Sequence, residues 1–274
     1  MNVTQELKKA KEDGYAVGAF NTNNLEVTKA ICKAASRSDM PILIQTTPSA
    51  IMYAGLEQIF DIVRNEVEST GIKGAIHLDH AKNFETVKMA IDAGWRSVMI
   101  DASLLAFDDN VALTKKVVEY AKATDTCVEA EIGVLKRQEG GEEIAFENLS
   151  QPETVKKFVD LTGIDSVAVS IGNVHGAPAG EHLDLNLLSE ISKVVDIPIV
   201  IHGASGLSED DIRSAIKIGA AKFNIDTQIR HAFIKPIEES TEKDDYRKPM
   251  EEGMVEVEKV VDRYIKLFSN KIKA

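Results

Sequence analysis

Residues 198–226 read PIVIHGASGLSEDDIRSAIKIGAAKFNID, and the order of signals in this stretch decides the fold. PIVIH is apolar at nearly every position before its histidine, as suits a parallel strand covered on both faces. Ser208 then offers a capping hydroxyl, and Glu209, Asp210 and Asp211 put carboxylates in a helix's first turn, where backbone N–H groups are unpaired and the dipole is positive. The helical run 209–218 stops at Gly219, the residue that a left-handed helix end favours, and KFNID opens a second strand. Strand, helix, strand is the repeating unit of a parallel sheet.

The same alternation extends in both directions. Strands are expected at 16–21, 41–46, 75–79, 97–101, 127–132, 166–171, 198–202 and 222–226. Helices are expected at 25–36, 56–69, 84–93, 110–122, 153–161, 187–194 and 209–218, with Gly94 ending one of them as Gly219 ends another. Eight such units close into a (β/α)8 TIM barrel, with residues from about 229 to 274 left to form extra C-terminal helices. An open doubly wound sheet would carry G-x-G-x-x-G after its first strand, and the chain has none there. No linker, low-complexity segment or long repeat divides residues 1–274, so a single domain is expected.

Composition narrows the function classes. A chain of 274 residues that is 44% hydrophobic and 28% charged can bury a sizeable core, which excludes a disordered segment. The net charge of −12, with no basic cluster, argues against nucleic acid as a partner. The longest apolar runs are strand-sized and the start is polar, so neither a membrane span nor a secretory signal is expected. Two cysteines, Cys32 and Cys127, then read as reduced core residues of a cytoplasmic protein.

In such a barrel the chemistry sits at the C-terminal ends of the strands. The polar residues there form a ring: Asn21, Thr47, Asp79, His80, Asp101, Glu129, Glu131, His175, His202, Asn224, Asp226 and Thr227. Neutral imidazoles from three strands can converge on one tetrahedral cation and leave a fourth position open, which is the pattern of catalytic zinc. His80, His175 and His202 meet that requirement. His77 lies two residues before Asp79, on the same face but one layer lower, and reads as structural or supporting. His182 and His231 lie outside the strands and read as surface residues. The turns HGASG (202–206) and NIDT (224–227) follow the last two strands, where barrels commonly seat a phosphate on backbone N–H groups and hydroxyls.

The segments AFNTNN, HLDHA, SVMIDAS, VEAEIG, AVSIGNVHG, VIHGASGLS and NIDT, in this order and spacing, resemble the class II, metal-dependent ketose-bisphosphate aldolases, which act on fructose or tagatose bisphosphate. The likeness spans about residues 1–270. It implies zinc on His80, His175 and His202, acting as a Lewis acid on the ketone oxygen. It further implies that Asp79 exchanges a proton with the C4 hydroxyl, and that Asp101 and Glu131 orient ligands or hold a second metal position. The resemblance assigns the dihydroxyacetone phosphate end to Gly176, Gly203, Ser205 and Thr227, with Thr47 as a further hydroxyl and Asn21 as a substrate contact. Carbonyls at Gly176 and Gly203 would hold a monovalent cation, Na+ or K+. Asn224 is placed to hydrogen-bond the enediolate, and Asp226 the substrate hydroxyls. For the distal phosphate the candidates are Arg230, reaching across a dimer interface, and Arg247; a homodimer or homotetramer is the expected assembly.

One segment departs from the family. Relatives usually read E-[IL]-G-x-x-G-G-x-E-D after the residue matching Glu131, and this chain reads EIGVLKRQEGGEE. Lys136 and Arg137 replace two glycines, so a lid there closes differently. Glu139 is the base by count, with Glu142 and Glu143 as alternatives. Fructose 1,6-bisphosphate is favoured over tagatose 1,6-bisphosphate on Asp226 and Arg230. A non-catalytic subunit related to aldolases is the competing class, and intact Asp79, His80, His175 and His202 argue against it.

Overall fold

Aliphatic runs three to eight residues long alternate with amphipathic helices, and the tertiary structure closes them into a ring. The computed structural model describes residues 1–133, 136–139, 142–144, 149–175 and 182–270, the side chains of 136–139, 142–144 and 174–175 excepted. Strands are β1 Val17–Asn21, β2 Ile42–Thr46, β3 Gly74–Ala81, β4 Ser97–Ile100, β5 Cys127–Ile132, β6 Lys136–Glu139, β7 Glu142–Ile144, β8 Ser166–Val169, β9 Val174–His175, β10 Ile199–Ile201 and β11 Ala220–Ile225. Helices are α1 Val3–Asp13, α2 Leu25–Ala35, α3 Pro48–Ala54, α4 Leu56–Thr70, α5 Phe84–Ala93, α6 Phe107–Ala121, α7 Pro152–Thr162, α8 Leu185–Val194, α9 Glu209–Ile218, α10 Thr227–Glu239 and α11 Arg247–Phe268.

Eight parallel strands form a closed barrel in the order β1-β2-β3-β4-β5-β8-β10-β11, an α/β TIM barrel. All eight expected strands are present and in place. Side chains alternate across each strand, so one set meets the helices and the other fills the barrel. On β5, Val128, Ala130 and Ile132 join the core shared with the helices, while Cys127 belongs to the inner cluster with Val17, Ala19, Leu43 and Ala221. Above that layer the interior turns polar: Gln45, His77, Glu129 and Lys222 are all buried to within about a per cent. Both cysteines are buried and unbridged, and burial pushes each thiol up to about 12, so neither is reactive.

Five strands and helices, α1, α3, β6, β7 and β9, were not anticipated from the residues alone. Helix α1 closes the bottom of the barrel with three residues, Val3, Leu7 and Ala10, a stripe too narrow to stand out in a polar segment. Helix α3 is a single short run started by Thr47 and Pro48. Residues expected as a glycine-poor lid form the antiparallel hairpin β6–β7, which pairs in parallel with β9. The two backbone irregularities that matter for chemistry are one extra residue in β3 between Leu78 and Ala81, and another in β11 between Ala220 and Lys222.

The C-terminal helices complete the outer ring. Phe268 of α11 stacks on Phe223 at 5.2 Å between centroids, and Tyr264 packs on Phe268 at 5.5 Å. Helix α11 lies close against α10 because residue 253 is glycine: a Cβ there would come within 2.5 Å of the Phe233 carbonyl oxygen. Gly253→Ala is therefore expected to destabilise the fold by about 1–3 kcal/mol despite alanine's better helix propensity. The midpoint of urea unfolding tests this, and a rise in stability would show that the two helices separate without cost.

Candidate active site

Asp79 and His80 are adjacent in β3, and in a regular strand their side chains would face opposite sides of the sheet. The extra residue in β3 changes this, and His80 takes a left-handed backbone (φ 52°) that few residues other than glycine adopt. As a result His80 Nε2 stands 3.9 Å from Asp79 Oδ1, with both groups at the barrel mouth. His80 Nδ1 lies 2.8 Å from Asp101 Oδ2 and 3.8 Å from Glu131 Oε2.

His202 follows β10 and is fully buried. Its Nε2 lies 2.9 Å from Glu129 Oε1, and its Nδ1 stands 3.7 Å from Glu131 Oε2. The His80 and His202 rings meet edge to face at 4.7 Å between centroids. Ligand atoms of Asp79, His80 and His202 all lie within 4.8 Å of one another, as do those of His80, Asp101 and Glu131. In each histidine one ring nitrogen is tied to a carboxylate, the arrangement that fixes a metal-ligating imidazole.

The Asp79 carboxylate is held by amides. Asn224 donates to Oδ1 at 3.2 Å, and Asn21 and Gln45 donate to Oδ2 at 3.5 and 3.4 Å. Burial works to raise this carboxyl, but His80, His202 and Lys222 outweigh it and hold it below the usual range. Burial likewise opposes charge on His80, yet Asp79, Asp101 and Glu131 raise it to about 9. Asp101, beside His80 and Lys82, and Glu129, beside Lys222 and His202, are both held well below the ordinary carboxylate range against the opposing effect of burial. Three buried carboxylates, those of Asp79, Asp101 and Glu131, around two imidazoles make a donor set that fits a divalent cation.

Residues 1–273 match the sequence model of the family described as fructose-bisphosphate aldolase class-II. The chain belongs to the class II fructose-bisphosphate aldolase family. It is a metal-dependent family, in keeping with the donor clusters here. Among solved structures the aldolase is similar to the YdjI aldolase from Escherichia coli K12, at 28% identity over 99% of this chain and 98% of that one, with a TM-score of 0.87. It is also similar to a protein from Coccidioides immitis titled a putative fructose-1,6-biphosphate aldolase, at 29% identity over 97% and 95% of the two chains and a TM-score of 0.89. The fructose-bisphosphate aldolase of Campylobacter jejuni, 24% identical over 99% and 95% with a TM-score of 0.81, shares the fold.

The structure thus gathers Asn21, Asp79, His80, Asp101, Glu131, His202 and Asn224 of the aldolase into one centre. Gly203, at φ 65°, turns the chain into the short helical turn Ala204–Gly206 beside it, where the Ser205 carbonyl accepts from Gln228. Thr227 begins α10, and Arg230 on the same helix donates to Asp226 at 3.0 Å. Burial raises the Asp226 carboxyl although Arg230 opposes this. Thr47 caps α3 by accepting from the Ala50 N–H, and its hydroxyl lies 2.8 Å from that of Ser49. Arg247 is exposed and donates to Asp245. His182 is a surface residue beside Asp211, and His231 is exposed, as expected. His175 stands in β9 opposite Arg137 of β6, and Glu139 stands opposite Glu142. The side chains of Lys136, Arg137, Glu139, Glu142, Glu143 and His175, and all of Gly176, lie outside the described residues.

Sequence reasoning missed Gln45 and Lys222 and gave Glu129 no role. Each lies two residues before a residue that was recognised, namely Thr47, Asn224 and Glu131, and a spacing of two is what puts strand residues on one face. That period, applied below the rim, would have found them.

His80→Ala and His202→Ala are each expected to lower zinc affinity by more than the roughly 10- to 100-fold typical of losing an outer partner. Equilibrium dialysis with zinc checks this, with His182→Ala as the control that keeps wild-type metal content. Unaltered binding in either site variant removes that residue from the ligand set.

Proposed function

We propose that this aldolase is zinc-dependent and reversibly cleaves a ketose 1,6-bisphosphate, fructose 1,6-bisphosphate above others, into dihydroxyacetone phosphate and glyceraldehyde 3-phosphate. The observation that carries the reading is Asp79: a buried carboxylate, kept anionic, steadied by three amides and set beside the His80–His202 donor pair.

His80, His175 and His202 would hold the zinc, which when bound supplies Lewis-acid polarisation of the substrate ketone. Asp79, as the anion, accepts the proton of the C4 hydroxyl while the C3–C4 bond breaks and its electron pair moves into the enediolate. The Asn224 amide, which in this structure donates to Asp79, is within the same cluster to donate to the developing oxygen charge. Glu139, or Glu142 or Glu143 of the same hairpin, returns a proton to C3 of the dihydroxyacetone phosphate half. Asp101 and Glu131 steady His80 and offer a second position for the metal.

The phosphate of that half is assigned to Gly176, Gly203, Ser205 and Thr227, with Thr47 nearby and Asn21 on the substrate side. The left-handed turn at Gly203 and the start of α10 at Thr227 support this, since glycine turns and helix starts are where backbone N–H groups are available to an anion. Carbonyls at Gly176 and Gly203 are assigned a Na+ or K+ ion. Asp226 is assigned the substrate hydroxyls, and Arg230 the distal phosphate of a neighbouring subunit, which makes the working form a homodimer or homotetramer. The half-exposed Arg230 guanidinium is free to exchange its contact with Asp226 for a phosphate. Among the described residues no helix is long and apolar enough to cross a membrane, and a cytoplasmic site of action is part of the proposal.

The direct test is cleavage of fructose and of tagatose 1,6-bisphosphate, followed as dihydroxyacetone phosphate release before chelation, after it, and after zinc is restored. Loss and recovery of activity support the reaction, and the ratio of the two rates names the sugar; a zinc-loaded protein inert toward both overturns the assignment. Asp79→Ala is expected to keep its zinc while kcat falls by about 10²-fold or more. A retained rate removes Asp79 from proton transfer. For Arg230→Ala the KM for the bisphosphate should rise more than the Kd for dihydroxyacetone phosphate, and equal changes would place the distal phosphate elsewhere.

A further inference from the structure

One layer below the proposed metal centre lies a charged cluster that the chemistry above does not use. Lys222 is wholly buried inside the barrel, with Nζ 2.8 Å from Glu129 Oε2 and 3.4 Å from His77 Nε2. The other Glu129 oxygen, Oε1, lies 2.9 Å from His202 Nε2, and His77 Nδ1 lies 2.7 Å from Ser97 Oγ. A single carboxylate therefore bridges a lysine and a histidine with its two oxygens.

Donor and acceptor roles in this chain are forced. An ammonium only donates and a carboxylate only accepts. Lys222 therefore donates to Glu129 Oε2, and to a His77 Nε2 that must accept; the His77 proton then sits on Nδ1 and faces Ser97. Glu129 Oε1 must accept from His202, so Nε2 of that ring carries a proton, and in the neutral ring that ligates a metal Nδ1 then carries the lone pair. It is the His202 Nδ1 edge that faces Glu131 of the metal cluster, at 3.7 Å. Lys222 reaches this place because Ala221 is the extra residue of β11, which aligns Lys222 with Val200 and turns it into the barrel two residues below Asn224.

Building on the metal site proposed above, we infer that Lys222 is a positioning residue for the metal: by anchoring Glu129 it locks His202 in the Nε2–H form, with Nδ1 presented to the ion. A buried carboxylate without a partner is costly and would turn toward other donors, leaving the imidazole free to rotate or change tautomer. A lysine that merely filled the barrel would affect folding and leave metal affinity and tautomer alone.

Zinc affinity, measured by competition with a fluorescent chelator, tests this on the wild type, Lys222→Met, Glu129→Gln and the double variant. Lys222→Met is expected to lose about 10- to 100-fold, Glu129→Gln a similar amount, and the double variant no more than Glu129→Gln, because the lysine acts through that carboxylate. A folded Lys222→Met with wild-type zinc affinity overturns the inference. If Lys222→Met does not fold, the double variant, which buries neither charge alone, decides. Wild-type affinity in the double variant, or affinity roughly tenfold below that of Glu129→Gln, overturns it. Nitrogen-15 NMR of labelled histidine in the zinc-free wild type is expected to show the His202 proton on Nε2, and a proton on Nδ1 instead overturns the inference outright. A wild type that binds no zinc rejects the metal site itself, a result distinct from a wild type that binds zinc with variants that match it.

Discussion

Negative charge buried at the mouth of the barrel is the constraint to which the rest of the molecule answers. Asp79, Asp101, Glu129 and Glu131 all lie out of water, and carboxylates so placed must be matched by opposite charge or by donors. The barrel supplies Lys222 from within, Lys82 from the rim, and amides from Asn21, Gln45 and Asn224. What these do not neutralise is concentrated around His80 and His202, where a divalent cation fits the donors. A core built for stability alone would have filled these positions with valine and isoleucine, as the outward faces of the same strands are filled.

Placing so much chemistry inside eight strands needs two departures from regular pairing. One extra residue in β3 lets neighbours Asp79 and His80 serve the same centre, at the cost of a left-handed histidine. One extra residue in β11 sets Lys222 and Asn224 inward and leaves Phe223 and Ile225 to the helices. Both irregularities act on register, the variable that determines which face a strand residue occupies. Strain at His80 is held by the hydrogen bond from its ring to Asp101 and by the neighbouring β4.

The hairpin β6–β7 ties the segment after β5 to β9, the strand that carries His175. Lys136 and Arg137, expected in a lid poor in glycine, sit in a paired strand. Backbone pairing with β9 links the chain that carries Glu139 to the chain that carries a proposed metal ligand, so the proposed base and the proposed ligand are positioned by one small sheet.

The local signals for all eight barrel strands and most of the helices were legible in the residues, because hydrophobic period and capping groups are local properties; Phe84–Ala93 ends where Gly94 placed its end, and Glu209–Ile218 begins and ends where Ser208 and Gly219 placed it. The ring of Asn21, Asp79, His80, Asp101, Glu131, His202 and Asn224 was legible too, since a barrel collects the polar residues that end its strands. Helix α1 was not, because three apolar residues become a hydrophobic face only once the barrel bottom exists for them to close. Nor were the partners of Gln45, Lys222 and Glu129: a period of two puts these residues on the inner face, but what they touch there depends on strands far apart in sequence. The amino-acid sequence by itself determined the barrel strands, most of the helices, the family and the rim residues, all of which follow from short-range pattern. Only the tertiary structure decided which of those residues touch, because register, bulges and the pairing of buried charges are settled between strands and never within one.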